Sequence, residues 1–358
     1  MQSDAPATSA RVRCSAIIVN TNEGAVLFEC LDRLDRAGRP DETIVVDNAS
    51  TDRSPERLER DYPWVRLIRA ASNLGYAGAN DLGASAALGD VIVLLNPDAF
   101  VEAGWLRSIL PLFDDADVGA VGPRIYRGRS GDILDSAGGE IEYPLGDAPG
   151  RGYLQTFGPP HTERCDVAYV SGAAIALRAQ TFRDVGGLDE DFFCYYEETD
   201  LCWRLRMAGK RCVYEPRAIV RHLGSFSFGP SSARKIRLQT RNRIRSCLQN
   251  LSAMHAMYFT LAEVAVGAGV IIGSALLPKY REYAGAYAYA WTDVVTALPA
   301  ILRKRRLRQR MRVLPDSVVL ALHRRVSPVA VIRRYARLAH QGGDTLFAEG
   351  IGGASGAE

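Results

Sequence analysis

Asp98 follows the apolar run Val91-Ile92-Val93-Leu94-Leu95 and closes the tripeptide Asn96-Pro97-Asp98. Ligands of open α/β sheets bind at strand ends, so a carboxylate there suits a metal ion or a phosphate-bearing ligand. Mg²⁺ and Mn²⁺ take oxygen donors, commonly one or two protein carboxylates with substrate phosphates completing the shell; capping the next helix is the competing role. Asp47 ends a second apolar run, Thr43-Ile44-Val45-Val46, where it can accept a hydrogen bond from a pyrimidine N–H or a ribose, or cap a helix. Glu197-Glu198-Thr199-Asp200 places three acids in four residues at a helix start, where the macrodipole favours negative charge by about 0.3–1 kcal/mol. They follow the aromatic stretch Phe192-Phe193-Cys194-Tyr195-Tyr196, and acids beside buried apolar surface must be paired or put to work, here as a general base. His222 ends Ala218-Ile219-Val220-Arg221 and reads either as a structural residue or as a neutral imidazole ligand for the same cation.

Strand-like and helix-like segments alternate around these residues, which predicts an α/β fold with a mixed, mostly parallel sheet flanked by helices. Strands are expected at Ala16–Asn20, Glu42–Asp47, Val65–Ile68 and up to Leu95, with helices at Ala25–Arg36, from Asn73 to near Gly89, and at Trp105–Phe113. This half has the pattern of a nucleotide-binding arrangement. Between Gly119 and Gly158 the sequence is rich in Gly and Pro, which predicts an irregular hairpin region. Strands resume at Val167–Gly172 and Ala173–Leu177, a helix spans Glu197–Met207 with Gly209 as its stop, and long helices follow Gly229.

A chain of 358 residues has room for one catalytic domain and an appendage. The expected division is a disordered lead-in over 1–13, a catalytic domain over 14–229, a basic helical region over 230–340 and a disordered tail over 341–358. Lys and Arg number 44 against 41 Asp and Glu, and a net charge of +3 gives no case for nucleic acid. The run Arg303-Lys304-Arg305-Arg306, Arg308, Arg310 and Arg312 contains no acid, and it suits anionic lipid head groups at about 1 kcal/mol per basic residue. Met254–Leu277 is apolar and about the ~20 residues a bilayer needs. Glu263, His255 and several glycines favour an interfacial helix or a packed hairpin instead, and a homo-oligomer interface is the rival use of these helices. Arg234, Lys235, Arg237, Arg241, Arg243 and Arg245 recur on another helix as a basic face. Seven scattered cysteines without a CxxC pair argue for neither disulfides nor zinc, and together with an N-terminus that lacks a secretion signal they place the protein in a reducing cytosol.

Taken in order, Val45–Asp52, Asn73–Asn80, Leu95–Asp98, Val185–Glu190 and Tyr196–Arg204 resemble glycosyltransferase family 2, in particular its bacterial rhamnosyltransferase-like members, over roughly residues 14–250. The resemblance implies a GT-A fold, a nucleotide-diphosphate-sugar donor, Mg²⁺ or Mn²⁺, and an inverting single displacement. By position, Asp47 would contact the nucleoside, with Asn48, Asn73, Gly75, Asn80 and Asn96 around the donor. Asn96-Pro97-Asp98 replaces the family's Asp-x-Asp, so Asp98 would hold the metal, with His222 as a further ligand. Glu198 stands where the family commonly has an aspartate base, Asp200 matches the motif's last acid, and Glu197 is the third candidate. Arg241 and Arg243 would lie near the diphosphate or an anionic acceptor. The implied reaction moves rhamnose from dTDP-rhamnose, or a hexose such as UDP-linked galactofuranose or galactose, to a cell-envelope glycan or lipid-linked acceptor at the inner face of the cytoplasmic membrane. The alternative of another class is a non-catalytic nucleotide-sugar-binding scaffold.

Overall fold

The computed structural model describes residues 12–224, 233–276 and 281–327. The expected boundary at Gly229, the tail, and all of the lead-in but Val12 and Arg13 lie outside them. In chain order the elements are β1 Cys14–Asn20, α1 Gly24–Ala37, β2 Glu42–Asp47, α2 Ser54–Asp61, β3 Val65–Arg69, α3 Gly75–Ala86, β4 Val91–Leu95, β5 Ala99–Val101, α4 Trp105–Ile109 and β6 Val118–Arg127. Next come β7 Leu134–Ser136, β8 Ile141–Tyr143, β9 Cys165–Asp166, β10 Ala174–Arg178, α5 Ala179–Asp184, α6 Glu197–Met207 and β11 Arg211–His222. The chain continues through α7 Ala233–Asn250, α8 Ala253–Leu276, α9 Arg281–Thr296, α10 Leu298–Arg310, α11 Asp316–Val319 and β12 His323–Arg325.

The sheet runs β3-β2-β1-β4-β10-β6-β11-β5. Its first four strands are parallel, β10 is antiparallel to β4 and β6, β11 is parallel to β6, and β5 is antiparallel to β11. Helices cover both faces, which is why β1, β2 and β4 are continuous apolar runs. Alternate residues serve opposite cores. Ile17, Ile44, Val46, Ile92 and Leu94 face one side with Leu201 and Leu205 of α6, whereas Ile18, Val45, Val93 and Leu95 face the other with Leu27, Leu31 and Leu34 of α1. Gly83 lets α3 lie close to the sheet, since a Cβ there would sit 2.5 Å from Ile17 Cγ2.

Only Asn96, Pro97 and Asp98 join β4 to β5, although four strand spacings separate the two in the sheet, about 19 Å if it were flat. Four residue steps reach about 14 Å at full extension. The sheet therefore curls, and its far end returns to the β4 exit. β11 also departs from ideal pairing. Glu215 lies opposite Pro123 and Ile219 opposite Arg124, so Pro216, Arg217 and Ala218 bulge from the ladder.

Two expectations need correction. The region from Gly119 was expected to be irregular, yet β6 is a ten-residue strand with almost every residue buried. Its glycines permit close packing, since a Cβ on Gly122 would meet Val170 Cβ at 2.6 Å. Conversely, Val167–Gly172 is not a ladder strand; the β9 ladder stops at Asp166, and residues 167–172 approach β10 with a single antiparallel bridge, between Tyr169 and Gly139.

Candidate active site

The carboxyl ends of β1, β2 and β4 share one sheet edge because they are adjacent and parallel. Asp47 ends β2 there, nearly buried, with Oδ1 accepting from Asn20 Nδ2 and Ser50 N at 3.4 Å each. Asn48 is tied to the start of α3, since its Nδ2 donates to Asn73 Oδ1 at 3.0 Å and its Oδ1 accepts from Leu74 N at 2.8 Å. Asn73 Oδ1 also accepts from Gly75 N at 2.8 Å. Gly75 has φ of +72°, and a Cβ there would lie 2.5 Å from the Phe193 carbonyl oxygen, so any other side chain would force the segment before α6 away. Asn80 is buried in α3, and its amide donates to the Tyr76 carbonyl at 2.9 Å within the helix.

Asp98 and His222 meet because the β5–β11 register pairs His222 with Ala99. His222 Nε2 lies 3.2 Å from Asp98 Oδ1, and its Nδ1 lies 2.8 Å from Asp135 Oδ2. Burial opposes charge on the ring, but hydrogen bonds to Asp135 and Asp98 outweigh it and push the His222 pKa to about 10. Burial likewise opposes charge on Asp98, and the His222 hydrogen bond overcomes it, holding the carboxyl below its usual range. Asp135 was not singled out in the sequence; an isolated acid in a Gly- and Ser-rich stretch has no spacing signal. A carboxylate that orients a ligating imidazole through its other nitrogen is the usual outer support of a metal-bound histidine. Among the described residues no group of three or more His, Cys, Asp or Glu side chains is placed to hold a cation. Asp98 and, once its Nε2 proton is displaced, His222 would supply two donors and leave the remaining positions to phosphate oxygens and water, which fits Mg²⁺ or Mn²⁺.

The acids at the start of α6 have three different surroundings. Glu198 is half-buried against Gly172, where a Cβ would lie 3.4 Å from Glu198 Cγ. Gly172 lies just before β10, on the edge where β4 ends, because Ala174 pairs with Leu95. Tyr76 of α3 spans the same place, donating its hydroxyl to the Gly172 carbonyl at 2.7 Å. Burial raises the Glu198 pKa to about 6, while the backbone N–H groups of Glu198 and Thr199 favour its charged form. Glu197 is buried, its Oε2 has no hydrogen-bond partner, and burial together with the Glu198 charge pushes its pKa well above the ordinary range. Both effects favour its neutral form.

Asp200, also a candidate for the base, is held by internal ion pairs. Two residues from Glu198 it points to the opposite side of the helix, since two steps of an α-helix turn about 200°. It is fully buried, with Oδ2 accepting from Arg204 Nε at 2.9 Å and Oδ1 from Arg308, Asn250 and Ser246 at 2.5, 2.8 and 3.1 Å. Burial favours the neutral acid, but Arg308 and Arg204 win and lower its pKa to about 2. Arg243 is likewise internal, paired with buried Glu263 at 2.7 and 2.8 Å, and Arg241 donates to the carbonyls of Asp191 and Phe192.

Residues 15–186 match the sequence profile of Glycosyl transferase family 2. Over 220 residues, 54% of this chain and 70% of the other, the protein is 33% identical to the N-acetylglucosaminyl-diphospho-decaprenol L-rhamnosyltransferase of Mycobacterium tuberculosis. It is 35% identical over 159 residues to the pre-mycofactocin glycosyltransferase of the same organism, covering 44% of this chain and 32% of that relative's length. Two solved structures share the fold. GalNAc-T7 with UDP, GalNAc and Mn²⁺ superposes with a TM-score of 0.58 at 17% identity, over 81% of this chain and 57% of that one. The mannosyltransferase PcManGT of Pyrobaculum calidifontis, in complex with GDP-Man and Mn²⁺, gives 0.51 at 18%, over 82% and 89%. The fold is GT-A, a mixed sheet flanked by helices with a helical C-terminal region. The chain belongs to glycosyltransferase family 2.

Proposed function

We propose that this protein is an inverting glycosyltransferase that moves a sugar from a nucleotide-diphosphate donor to a cell-envelope glycan or lipid-linked acceptor, with Glu198 as the base. One observation carries the reading. Of the three acids at the start of α6, Glu198 alone is partly open and raised to about 6, and it stands beside Gly172 on the sheet edge that also bears Asp47 and Asp98. Asp47 would receive the nucleoside, while Asn48 and Asn73 hold the β2 exit against α3. A divalent cation between Asp98 and His222 would supply Lewis-acid stabilisation of the charge left on the diphosphate. Glu198 would take the proton of the acceptor hydroxyl as that oxygen attacks the anomeric carbon from the opposite face. Rhamnose from dTDP-rhamnose is the preferred donor because of the similarity to the mycobacterial rhamnosyltransferase. A panel with UDP-galactofuranose, UDP-galactose, UDP-glucose and GDP-mannose separates the sugars, and turnover of a labelled donor separates an enzyme from a scaffold that only binds.

The base must be deprotonated to work. The rate is therefore expected to rise through pH 6 towards a plateau above it and to fall as Glu198 is protonated at lower pH. A rate of donor turnover that stays flat between pH 5 and 7.5 would remove Glu198 from this role.

The helical region bears on the acceptor. Ala253–Ala275 is long and apolar enough to cross a membrane, and α8 turns its only acid, Glu263, inward to Arg243. Met254, Met257, Leu261, Val264, Ile271 and Ile272 are exposed. The acid-free basic run is only half available to lipid. Lys304, Arg305, Arg308 and Arg312 are engaged inside the protein, whereas Arg303, Arg306 and Arg310 are exposed. Peripheral binding at the cytoplasmic face would use the α8 stripe and those three arginines. The protein is expected to float with anionic liposomes and to bind less in high salt; absence of flotation at low salt would defeat membrane association.

A further inference from the structure

The segment that carries Glu198 is held at both ends by one arginine of α10. Arg308 is buried, and its planar fork reaches Asp200 Oδ1 with Nη1 at 2.5 Å and Asp189 Oδ2 with Nη2 at 2.6 Å. Asp189 precedes the aromatic stretch, Asp200 lies in the first turn of α6, and Glu198 stands between them. One turn earlier on α10, Lys304 donates to Asp189 Oδ1 at 2.5 Å and Asp191 Oδ2 at 2.8 Å.

What lies between is not a conformation the chain adopts unaided. Phe193, Tyr195 and Tyr196 have φ of +65°, +68° and +72°, in a region that side chains disfavour and that surrounding structure has to impose. That structure is α7. Asn242 Nδ2 donates to the carbonyls of Phe192, Cys194 and Tyr195 at 3.0, 2.9 and 2.7 Å. On the other side the Phe193 carbonyl accepts from Ala77 N of α3 at 3.2 Å, so the segment also abuts the helix that adjoins the donor edge.

We propose that Arg308 is a positioning residue for the base: by bridging Asp189 and Asp200 it fixes both ends of the 190–199 segment and so sets where the Glu198 carboxylate stands relative to the donor edge. The proposal rests on the reading of Glu198 as the base. Geometry favours arginine over lysine at this position, because a planar guanidinium holds its two N–H groups in a fixed relation to the two carboxylates, whereas an ammonium is a rotatable point charge on a flexible stem. Each acid keeps another cation when Arg308 is lost, Asp200 its Arg204 and Asp189 its Lys304. Removal thus breaks the bridge and leaves both ends of the segment individually paired.

The test compares full-length wild type, Arg308→Met, Arg308→Lys and Glu198→Gln, following dTDP release from dTDP-rhamnose with Mn²⁺ and hydrogen–deuterium exchange of residues 190–199. Small misplacement of a catalytic group costs about 100-fold in rate, so Arg308→Met is expected to lose about that in kcat, with the donor KM nearly unchanged. Arg308→Lys should recover part of the loss. Exchange in 190–199 should rise in the Met variant while the donor-edge strands β1, β2 and β4 stay protected, and this arm reads without any substrate. If Arg308→Met fails to fold, the Lys variant gives the same two readouts. The proposal is overturned by a folded Arg308 variant with wild-type kcat and an unchanged 190–199 segment. It is equally overturned if kcat and KM worsen together while exchange rises across the whole sheet, which is general destabilisation. Activity retained by Glu198→Gln overturns the base reading itself, whereas an inactive Glu198→Gln beside a fully active Arg308→Met overturns only the positioning role.

Discussion

Glu198→Gln is expected to lower sugar transfer by about 10²–10⁴-fold, the usual contribution of a general base, while donor affinity holds. The substitution preserves volume and removes the proton acceptor. It also removes a negative charge that, after burial itself, favours the neutral form of Glu197. Donor affinity should persist because the proposed nucleoside and diphosphate contacts come from β2, the β4–β5 connection and β11, and none is made by the Glu198 carboxylate. Initial rates with labelled donor, set beside calorimetric donor titration, separate the two effects. An active glutamine variant would mean that another group or solvent takes the proton.

Asp98→Asn should act in the opposite sense, weakening cation-dependent donor binding before any chemistry. It removes one of two protein donors and leaves His222 facing an amide, so its loss should exceed the about 10–100-fold typical of removing an outer support such as Asp135. Asp135→Asn is the companion variant and should fall within that range. Calorimetry of dTDP-rhamnose with and without Mn²⁺ checks both. Equal donor affinity in wild type and Asp98→Asn would sink the ligand assignment.

The nucleotide-binding half was legible because strands buried on both faces must be continuous apolar runs, and β1, β2 and β4 are. β6 was not, since Gly119, Gly122 and Pro123 look like breaks until the residues packed against them are known. The candidate site was legible where chemistry coincides with a strand or helix end, as at Asp47, Asp98, Glu198 and His222. It was opaque where partners arrive from distant sequence. Nothing local distinguishes Glu198 from Asp200, because the difference is made by Arg308, more than a hundred residues later, and by the side of α6 on which each falls. The same holds for the basic run of α10. Charge spacing shows that the residues are cationic, but only folding shows that Lys304 and Arg308 meet Asp189, Asp191 and Asp200.

The bulge at Pro216–Ala218 separates β11 into two lengths that keep different alignments with β6. Side chains alternate faces along a strand, so a shift of one residue would carry His222 to the opposite side of the sheet, away from Asp98. With three residues outside the ladder, the first length can follow the demands of core packing without dictating the second. The alignment of residues 219–222 is instead held by their pairing with both β5 and the far end of β6. β11 is in effect a jointed strand, and insertions or deletions at the joint can be absorbed there before they reach the histidine.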